Sequence, residues 1–472
     1  MGGVVIVGNG VAGIEAALLL REREPTLPVT LVSEESEHFF SRTALMWVLS
    51  GQLSHRCIEP HDRELYARLG FTRVRGRATG LDLARRQLRL AGRAPLDFDR
   101  LLLACGSRPR PAPWAGASLA GVGHFVTLQD LEWLEGELWG GPARSGRPSH
   151  PEAHLPFSAP DSPYLPRPSR FAARGGPPRA PVVIGGGLIG IEAAEVMAAM
   201  KLRPRFFVRE EHFWPLALDA TESAWIVERM RAHDIDVRLG ETVEELIGSG
   251  AISHLRTRRA TEPCDLCVVA TGVVPNTAWL ADSGLALERR SGGVIVDEAQ
   301  QTTDPHVFAA GDCAAVRWPD GDLRPQPLWY AARDQGRTAA RAMLGDAVSR
   351  ARGIFYNSAK LMDVEYTCAG LVDLAVDGEE SWAFEERGAV RSTLRIGVVG
   401  GRVIGFCALG RRYRHEVWCR WIEERRSLEY VLDHLAESAF DTELVPPLRL
   451  PADARARPLT RPAPPWGVAS RA

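Results

Sequence analysis

The sequence predicts an α/β protein: two parallel sheets flanked by helices, followed by a smaller α+β domain. Three observations lead there. A β-branched run beginning at Val4 and another at Val182 each pass through a glycine-rich turn into an Ala/Leu-rich helix. Between and after them, short apolar runs alternate with helical periodicity, the pattern of parallel strands joined by crossover helices. Beyond about residue 351 the period changes to short strands with a Gly400-Gly401 hairpin signal and a final amphipathic helix.

In chain order, Val4 to Val7 is a strand, Gly8-Asn9-Gly10-Val11-Ala12-Gly13 a tight turn, and the helix then continues to about Arg23. A second strand, Val29 to Val32, ends in Ser33-Glu34-Glu35. Later strands are expected at Arg100 to Ser107, Phe206 to Val208, Cys267 to Gly272, Gly293 to Asp297 and His306 to Asp312. Eleven prolines fall between about 136 and 181, and they sustain neither helix nor central strand. The resulting partition is 1–135 and 292–350 as two parts of one domain, 136–181 as a disordered linker, 182–291 as a second domain, 351–450 as the α+β domain, and 451–472 as a disordered tail.

The composition excludes some classes of function. At 472 residues, 45% hydrophobic and 25% charged, the chain is a globular protein with room for several cores. A formal net charge of −2 gathers neither nucleic acid nor anionic lipid over the whole surface. No run of about 18 uncharged apolar residues suggests an integral membrane segment, and the N-terminus carries no signal-peptide pattern, so a cytoplasmic protein is expected. Its eight cysteines are scattered without a disulfide framework, which suits a reducing compartment; the Cys264-x-x-Cys267 spacing invites a redox or zinc reading, but its place at the start of a strand favours a structural pair, and no metal site is expected.

The chemistry lies in the repeated turn. A G-x-G-x-x-G sequence after a strand brings bare backbone against a pyrophosphate at a helix N-terminus, where free N–H groups and the helix dipole attract negative charge. The first copy uses Gly8, Gly10 and Gly13 around Val11 and Ala12, with Glu34 and Glu35 placed to bind a ribose hydroxyl. The second uses Gly185, Gly187 and Gly190 around Leu188 and Ile189. Two dinucleotides on one chain imply hydride transfer from a nicotinamide to a flavin.

With these motifs the chain resembles the two-dinucleotide-binding-domain flavoproteins of the pyridine nucleotide-disulfide oxidoreductase superfamily, over residues 1 to about 345 without the linker. The resemblance implies two Rossmann-like domains. FAD would sit on the first fingerprint, with Cys105 and Gly106 at an A-T-G-like hinge and Gly311-Asp312 on the ribityl chain. Trp329 would open a helix aimed at the flavin. NADH or NADPH would sit on the second fingerprint, with Gly272 at the intact second hinge. Arg209 and Glu210, at the end of the following strand, would choose between them; Glu210 favours NADH.

The same resemblance sorts subfamilies. Disulfide-reducing relatives place cysteines after the second strand, but here Arg42 stands in "FFSRTALMW" and no thiol does. The branch containing ferredoxin reductases and apoptosis-inducing factor has an arginine there, matched by Arg42. It also has a lysine paired with a glutamate of the second fingerprint helix. Glu192 matches that glutamate, whereas Trp47 replaces the lysine, so Glu192 should find another cation or hold a proton.

Cys264 and Cys267 read as i and i+3 on a strand, too far apart to bridge. The expected activity is an FAD-dependent NAD(P)H:acceptor oxidoreductase working without a redox disulfide. Its acceptor would be a ferredoxin- or rubredoxin-like protein, a quinone or oxygen. A homodimer is compatible with the resemblance. Alternatives are an NADH-responsive sensor or a type II quinone dehydrogenase, and Gly410 to Ser427 offers either a docking surface (Arg411, Arg412, Arg414, Trp418, Trp421) or a buried helix.

Overall fold

A computed structural model describes residues 3–140, 171–318, 321–348, 353–372, 377–386, 391–440, 448 and 456–457. Most of the proline-rich segment expected at 136–181, and nearly all of the 451–472 tail, lie outside the described residues. The chain forms two compact units, one of Met1–Gly185, Val196–Arg205 and Val243–Ala351, the other of Gly186–Glu195, Phe206–Thr242 and Arg352–Ala472. The sequence-based partition put all of 182–291 in one domain; the compact units share that stretch between them.

In the first unit five parallel strands run in the order Val307–Ala309, Arg100–Leu103, Val4–Val7, Val29–Ser33, Thr72–Arg75. Every residue of Val4–Val7 is buried, which is why this strand is a continuous β-branched run rather than an alternating one. One face is covered by the helices Val11–Arg23 and Trp329–Met343, which come close because Gly336 has no side chain; a Cβ there would stand 2.2 Å from the Ala12 carbonyl oxygen. The other face packs Val5, Val7, Leu101 and Leu103 against Leu88, Val294 and Val316. A second group of parallel strands joins Pro181–Ile184 to Leu266–Val269 and the latter to Val122–Gly123. The expected α/β class with parallel sheets therefore stands.

The second unit contains a six-stranded antiparallel sheet, in the order Tyr356–Leu361, Val364–Gly370, Arg402–Leu409, Ser392–Val399, Glu379–Glu386, Ala456–Arg457. Gly400 and Gly401, at φ 55° and 74°, make the tight turn between its two central strands, a conformation that favours glycine. On one face the helix His415–Glu423 buries Trp418 and Trp421, with the Trp418 ring stacked on Phe406 at 4.1 Å between centroids. The two tryptophans are core, and Arg411 is buried against Glu386, so these residues form no docking surface. Their apolar stripe is also not free to dock on a membrane. Among the described residues no helix is long and apolar enough to cross one.

Candidate functional site

The first glycine turn assigns each glycine a separate mechanical task. Gly8 sits at φ 115°, and a Cβ there would lie 1.9 Å from the Ala104 carbonyl oxygen; a Cβ on Gly13 would lie 2.0 Å from that of Gly8. Both are locked against backbone. A Cβ on Gly10 meets nothing within 4 Å. Gly10 is also the N-cap of Val11–Arg23, with no side-chain cap and no acidic residue in the first turn. The first N–H groups of this helix thus face open space without a built-in partner, which fits an anionic diphosphate. Asn9 is occupied elsewhere: its side chain bonds the Glu37 carbonyl and the Tyr66 hydroxyl, bracing the turn.

Around this turn the structure gathers several of the expected residues. Gly311, at φ 79°, is 3.2 Å from Ala12 through its would-be Cβ, and its N–H donates to Gln335 on Trp329–Met343. Asp312 follows in the 3-10 turn Gly311–Cys313 and accepts a 2.7 Å hydrogen bond from Ser107. Burial pushes the Asp312 carboxyl up, while the Ser107 bond and the charge of Arg42 draw it back. Arg42 itself is engaged, with Nη1 2.9 Å from Glu35 Oε1 and 2.6 Å from the Val126 carbonyl oxygen, and Nη2 2.5 Å from Glu35 Oε2. Glu35 also accepts from the Leu128 N–H. Arg42 and Glu35 thus hold each other in a bidentate pair. Glu34 stands half-buried just past Val29–Ser33, and Trp329 half-buried at its helix start with Arg333 over its ring. Ser107 and Gln335 escaped the sequence reading, although Ser107 closes the first hinge strand and Gln335 lies on the helix that Trp329 opens.

The second turn repeats the first. Gly185 has φ 123° and a would-be Cβ 2.2 Å from the Ala270 carbonyl oxygen, whereas Gly187 meets nothing within 4 Å. Leu188, Ile189 and Gly190 open the helix Leu188–Ala199. The hinges are themselves paired: Ser107–Pro109 runs antiparallel to Val273–Pro275, with Arg110 N–H bonded to Gly272 O and Asn276 N–H to Gly106 O. In the second hinge the Thr271 hydroxyl is buried with no hydrogen-bond partner among the described residues, so it fits a polar ligand atom. In the second unit, Arg209 Nη2 lies 2.7 Å from Glu210 Oε1. The two residues that would discriminate a ribose hydroxyl from a phosphate therefore neutralise one another.

Glu192 and Glu195 lie on one face of Leu188–Ala199. Burial, then the charge of Glu195, pushes the Glu192 carboxyl up to about 8. Burial pushes Glu195 up to about 7, offset in part by the Lys360 ammonium and the Met362 N–H. Of the two outcomes expected for Glu192, burial beside Glu195 favours the raised carboxyl. Trp47 lies half-buried on Leu45–Leu49 in the first unit. Both carboxyls are raised above the ordinary value of 4.5, so the fold binds protons that the unfolded chain releases. Their contribution to stability is full below about pH 4.5 and is lost as pH rises through 7 and 8. Thermal midpoints measured from about pH 5 to about pH 9 should fall in the parent and fall less steeply in Glu192→Gln; superimposable profiles would contradict this.

The cysteines require one correction. Cys264 lies ahead of the strand Leu266–Val269, not on it, because the Asp265 carboxylate takes the N–H groups of Arg179 and Ala180 and bends the chain there. The Cys264 thiol turns back to the Leu266 carbonyl oxygen at 3.4 Å. Both thiols are buried.

Comparison with known proteins follows the same outline. A family model described as pyridine nucleotide-disulphide oxidoreductase matches residues 2–336. The chain is 30% identical over 355 residues to the biphenyl dioxygenase system ferredoxin–NAD(+) reductase component of Paraburkholderia xenovorans (strain LB400), covering 73% of this chain and 75% of that one. It is 26% identical over 358 residues to putidaredoxin reductase CamA of Pseudomonas putida, covering 72% and 74%. Its fold matches the reductase in a covalent putidaredoxin reductase–putidaredoxin complex, with a TM-score of 0.74 at 21% identity, over 93% of this chain and 99% of that one.

Proposed function

The chain belongs to the pyridine nucleotide-disulphide oxidoreductase family, and from that premise we propose that its electrons leave for a small iron–sulfur protein of the ferredoxin class. It is an FAD-dependent NAD(P)H oxidoreductase that passes electrons to an acceptor. When bound, the two dinucleotides supply the hydride chemistry; the chain supplies position, charge and exclusion of water.

Each residue has an assigned task in this reading. Gly8, Gly10 and Gly13, with the amides of Val11 and Ala12, would hold the FAD diphosphate, and Glu34 its ribose. Asp312, oriented by Ser107, would bind the ribityl chain beside Gly311, Cys105 and Gly106. Glu35 fixes Arg42 at the rim of that site, and Trp329 opens the helix that would face the flavin. Gly185, Gly187 and Gly190, with Leu188, Ile189 and Gly272, would hold the nicotinamide dinucleotide. Glu210 favours NADH, and its pairing with Arg209 lowers the positive charge open to a 2′-phosphate. Glu192 would carry a proton on the helix that follows the second glycine turn, and Trp47 stands in the first unit where the resemblance implies a lysine. The observation that carries the two-cofactor reading is the matched openness of Gly10 and Gly187 beside the locked Gly8 and Gly185.

The choice of acceptor is supported by the ferredoxin reductase at 30% identity. It is tested by reducing the holoprotein anaerobically with NADH and mixing it with a two-iron ferredoxin, a soluble quinone or oxygenated buffer. Reoxidation should be at least about a hundredfold faster with the ferredoxin, the advantage of a docked over a colliding acceptor. Equal or faster reoxidation by quinone or oxygen would reject the iron–sulfur acceptor and leave the family assignment intact.

A further inference from the structure

We propose that Ser107 is a positioning residue that couples the two cofactor sites: occupancy of the second glycine turn alters the Asp312 carboxylate through it, and so the reduction potential of the flavin. This rests on the reading of Asp312 as a flavin residue. Ser107 begins the strand Ser107–Pro109, which follows the first hinge and runs antiparallel to Val273–Pro275, the strand that follows the second. It stands opposite Pro275, and the pairing is bounded by Asn276 N–H to Gly106 O at 2.9 Å and Arg110 N–H to Gly272 O at 3.0 Å. The two hinges are thus tied into one two-stranded ribbon, all of it in the first unit. From this ribbon the Ser107 hydroxyl donates a 2.7 Å hydrogen bond to Asp312 Oδ2, and among the described residues no other side chain donates to that carboxylate. Val273–Pro275 also lies against the turn Gly311–Cys313 itself.

The other end of the ribbon reaches the second cradle. A Cβ on Gly185 would stand 2.2 Å from the Ala270 carbonyl oxygen and 3.0 Å from the Thr271 nitrogen, so the second glycine turn bears directly on its hinge. The Thr271 hydroxyl, one residue before Gly272, is buried with no hydrogen-bond partner among the described residues, and it fits a polar atom of a ligand seated on that turn. Would-be Cβ atoms on Gly106 and Gly272 meet nothing within 4 Å. Both hinge peptides therefore have space to turn, while the backbone bonds between them keep the two strands in register.

A small movement is enough. An O–H···O bond of 2.7 Å is lost when the two oxygens part by a further ~0.5 Å, so a slight displacement of the ribbon makes or breaks the Ser107–Asp312 contact. A carboxylate that shares its charge with a hydroxyl opposes negative charge on a nearby ring less than one that does not, and a flavin gains that charge on reduction. Linkage makes the effect reciprocal: the factor by which ligand changes the reduction equilibrium is the factor by which reduction changes ligand affinity.

The test uses the purified holoprotein, its flavin scored first from the visible spectrum, with ADP-ribose or its 2′-phosphate, whichever binds. Both lack the nicotinamide ring, so they occupy the second cradle without stacking on the flavin. The flavin midpoint potential is read by slow anaerobic reduction against a reference dye, with and without ligand. In the parent, saturation should shift the reduction equilibrium at least about fivefold, which is about 20 mV for a two-electron couple. In Ser107→Ala the ligand effect should shrink to less than about twofold, with affinity of the oxidised protein for the ligand within about twofold of the parent. Ser107→Thr, which keeps the hydroxyl, should restore the shift. No shift in the parent, an equal shift in Ser107→Ala, or its loss in Ser107→Thr as well would overturn the coupling and leave the two-cofactor assignment standing. A protein that holds no flavin, or binds neither ligand, refutes that assignment and the coupling with it.

Discussion

Gly10→Val should yield a folded protein that emerges from purification colourless, its flavin content reduced at least about tenfold, which is about 1.4 kcal/mol of binding or more. The size of the effect follows from where the side chain goes. A Cβ on Gly10 touches no protein atom within 4 Å, so an isopropyl group fits the fold but fills the space over the helix N-terminus. Gly8→Ala makes the contrast, since its Cβ would stand 1.9 Å from the Ala104 carbonyl oxygen at a φ of 115°. That change must damage the sheet-to-helix turn itself, so its loss of flavin carries no information about contact. Gly187→Val should behave as the mirror image: flavin retained, colour unaltered, but bleaching by NADH slowed at least about tenfold at subsaturating cofactor. Visible absorbance per chain, circular dichroism and NADH titration separate these outcomes. A Gly10→Val protein that keeps its full flavin complement would refute the assignment of the first turn.

Arg395→Ala should cost the second unit about 3–5 kcal/mol, the usual result of removing one partner of a buried ion pair. The Glu222 side chain is 1% exposed and that of Arg395 6%, with 2.8 Å between them. Glu222 also accepts the Thr393 hydroxyl, and Arg395 also reaches the Ala217 carbonyl oxygen and the Cys407 sulfur. Without the guanidinium the carboxylate is left in the core with only the Thr393 hydroxyl and the Asp219 N–H to meet its charge. Burial already pushes the Glu222 carboxyl up, with Arg395 opposing, so in the variant it should protonate more readily. Stability of Arg395→Ala should therefore improve as pH falls and worsen as it rises through the raised value. Replacing both partners by leucine should recover much of the loss, because the penalty comes from the unpaired charge. Urea denaturation followed by the fluorescence of the buried tryptophans provides the measurement, and a loss below about 1 kcal/mol, typical of surface pairs such as Arg238–Asp236, would refute this account.

What could be read from the sequence was what a short local pattern enforces. The two glycine turns were legible because G-x-G-x-x-G after a β-branched run states a backbone geometry within six residues. The burial of Trp418 and Trp421 was legible because Trp418, Trp421 and Ile422 repeat at helical spacing. Contacts between remote segments were not. Nothing near Asp312 announces Ser107, and nothing near Gly311 announces Gln335. Gly336, which admits Ala12 to close contact, looks in sequence like an ordinary helix glycine. Arg42 and Glu35 were each read toward the cofactor, but the pair binds first to itself. The Cys264–Cys267 misreading arose from a strand placed a residue or two early, since it took Asp265 as part of a strand when its carboxylate caps the bend before one. Trp47, in place of a lysine, was visible as a departure; that the Glu192 carboxyl is raised needed the burial that only the structure supplies.

The most direct test of the central claim, that two nucleotide cradles on one chain pass hydride from a nicotinamide to a flavin, is anaerobic titration of the purified protein with NADH while the visible spectrum is recorded. One flavin per chain, bleached by one equivalent of NADH without the uptake of further electrons, is the predicted result. A protein that carries no flavin and takes up none, or whose flavin remains oxidised under excess NADH and NADPH, would contradict it.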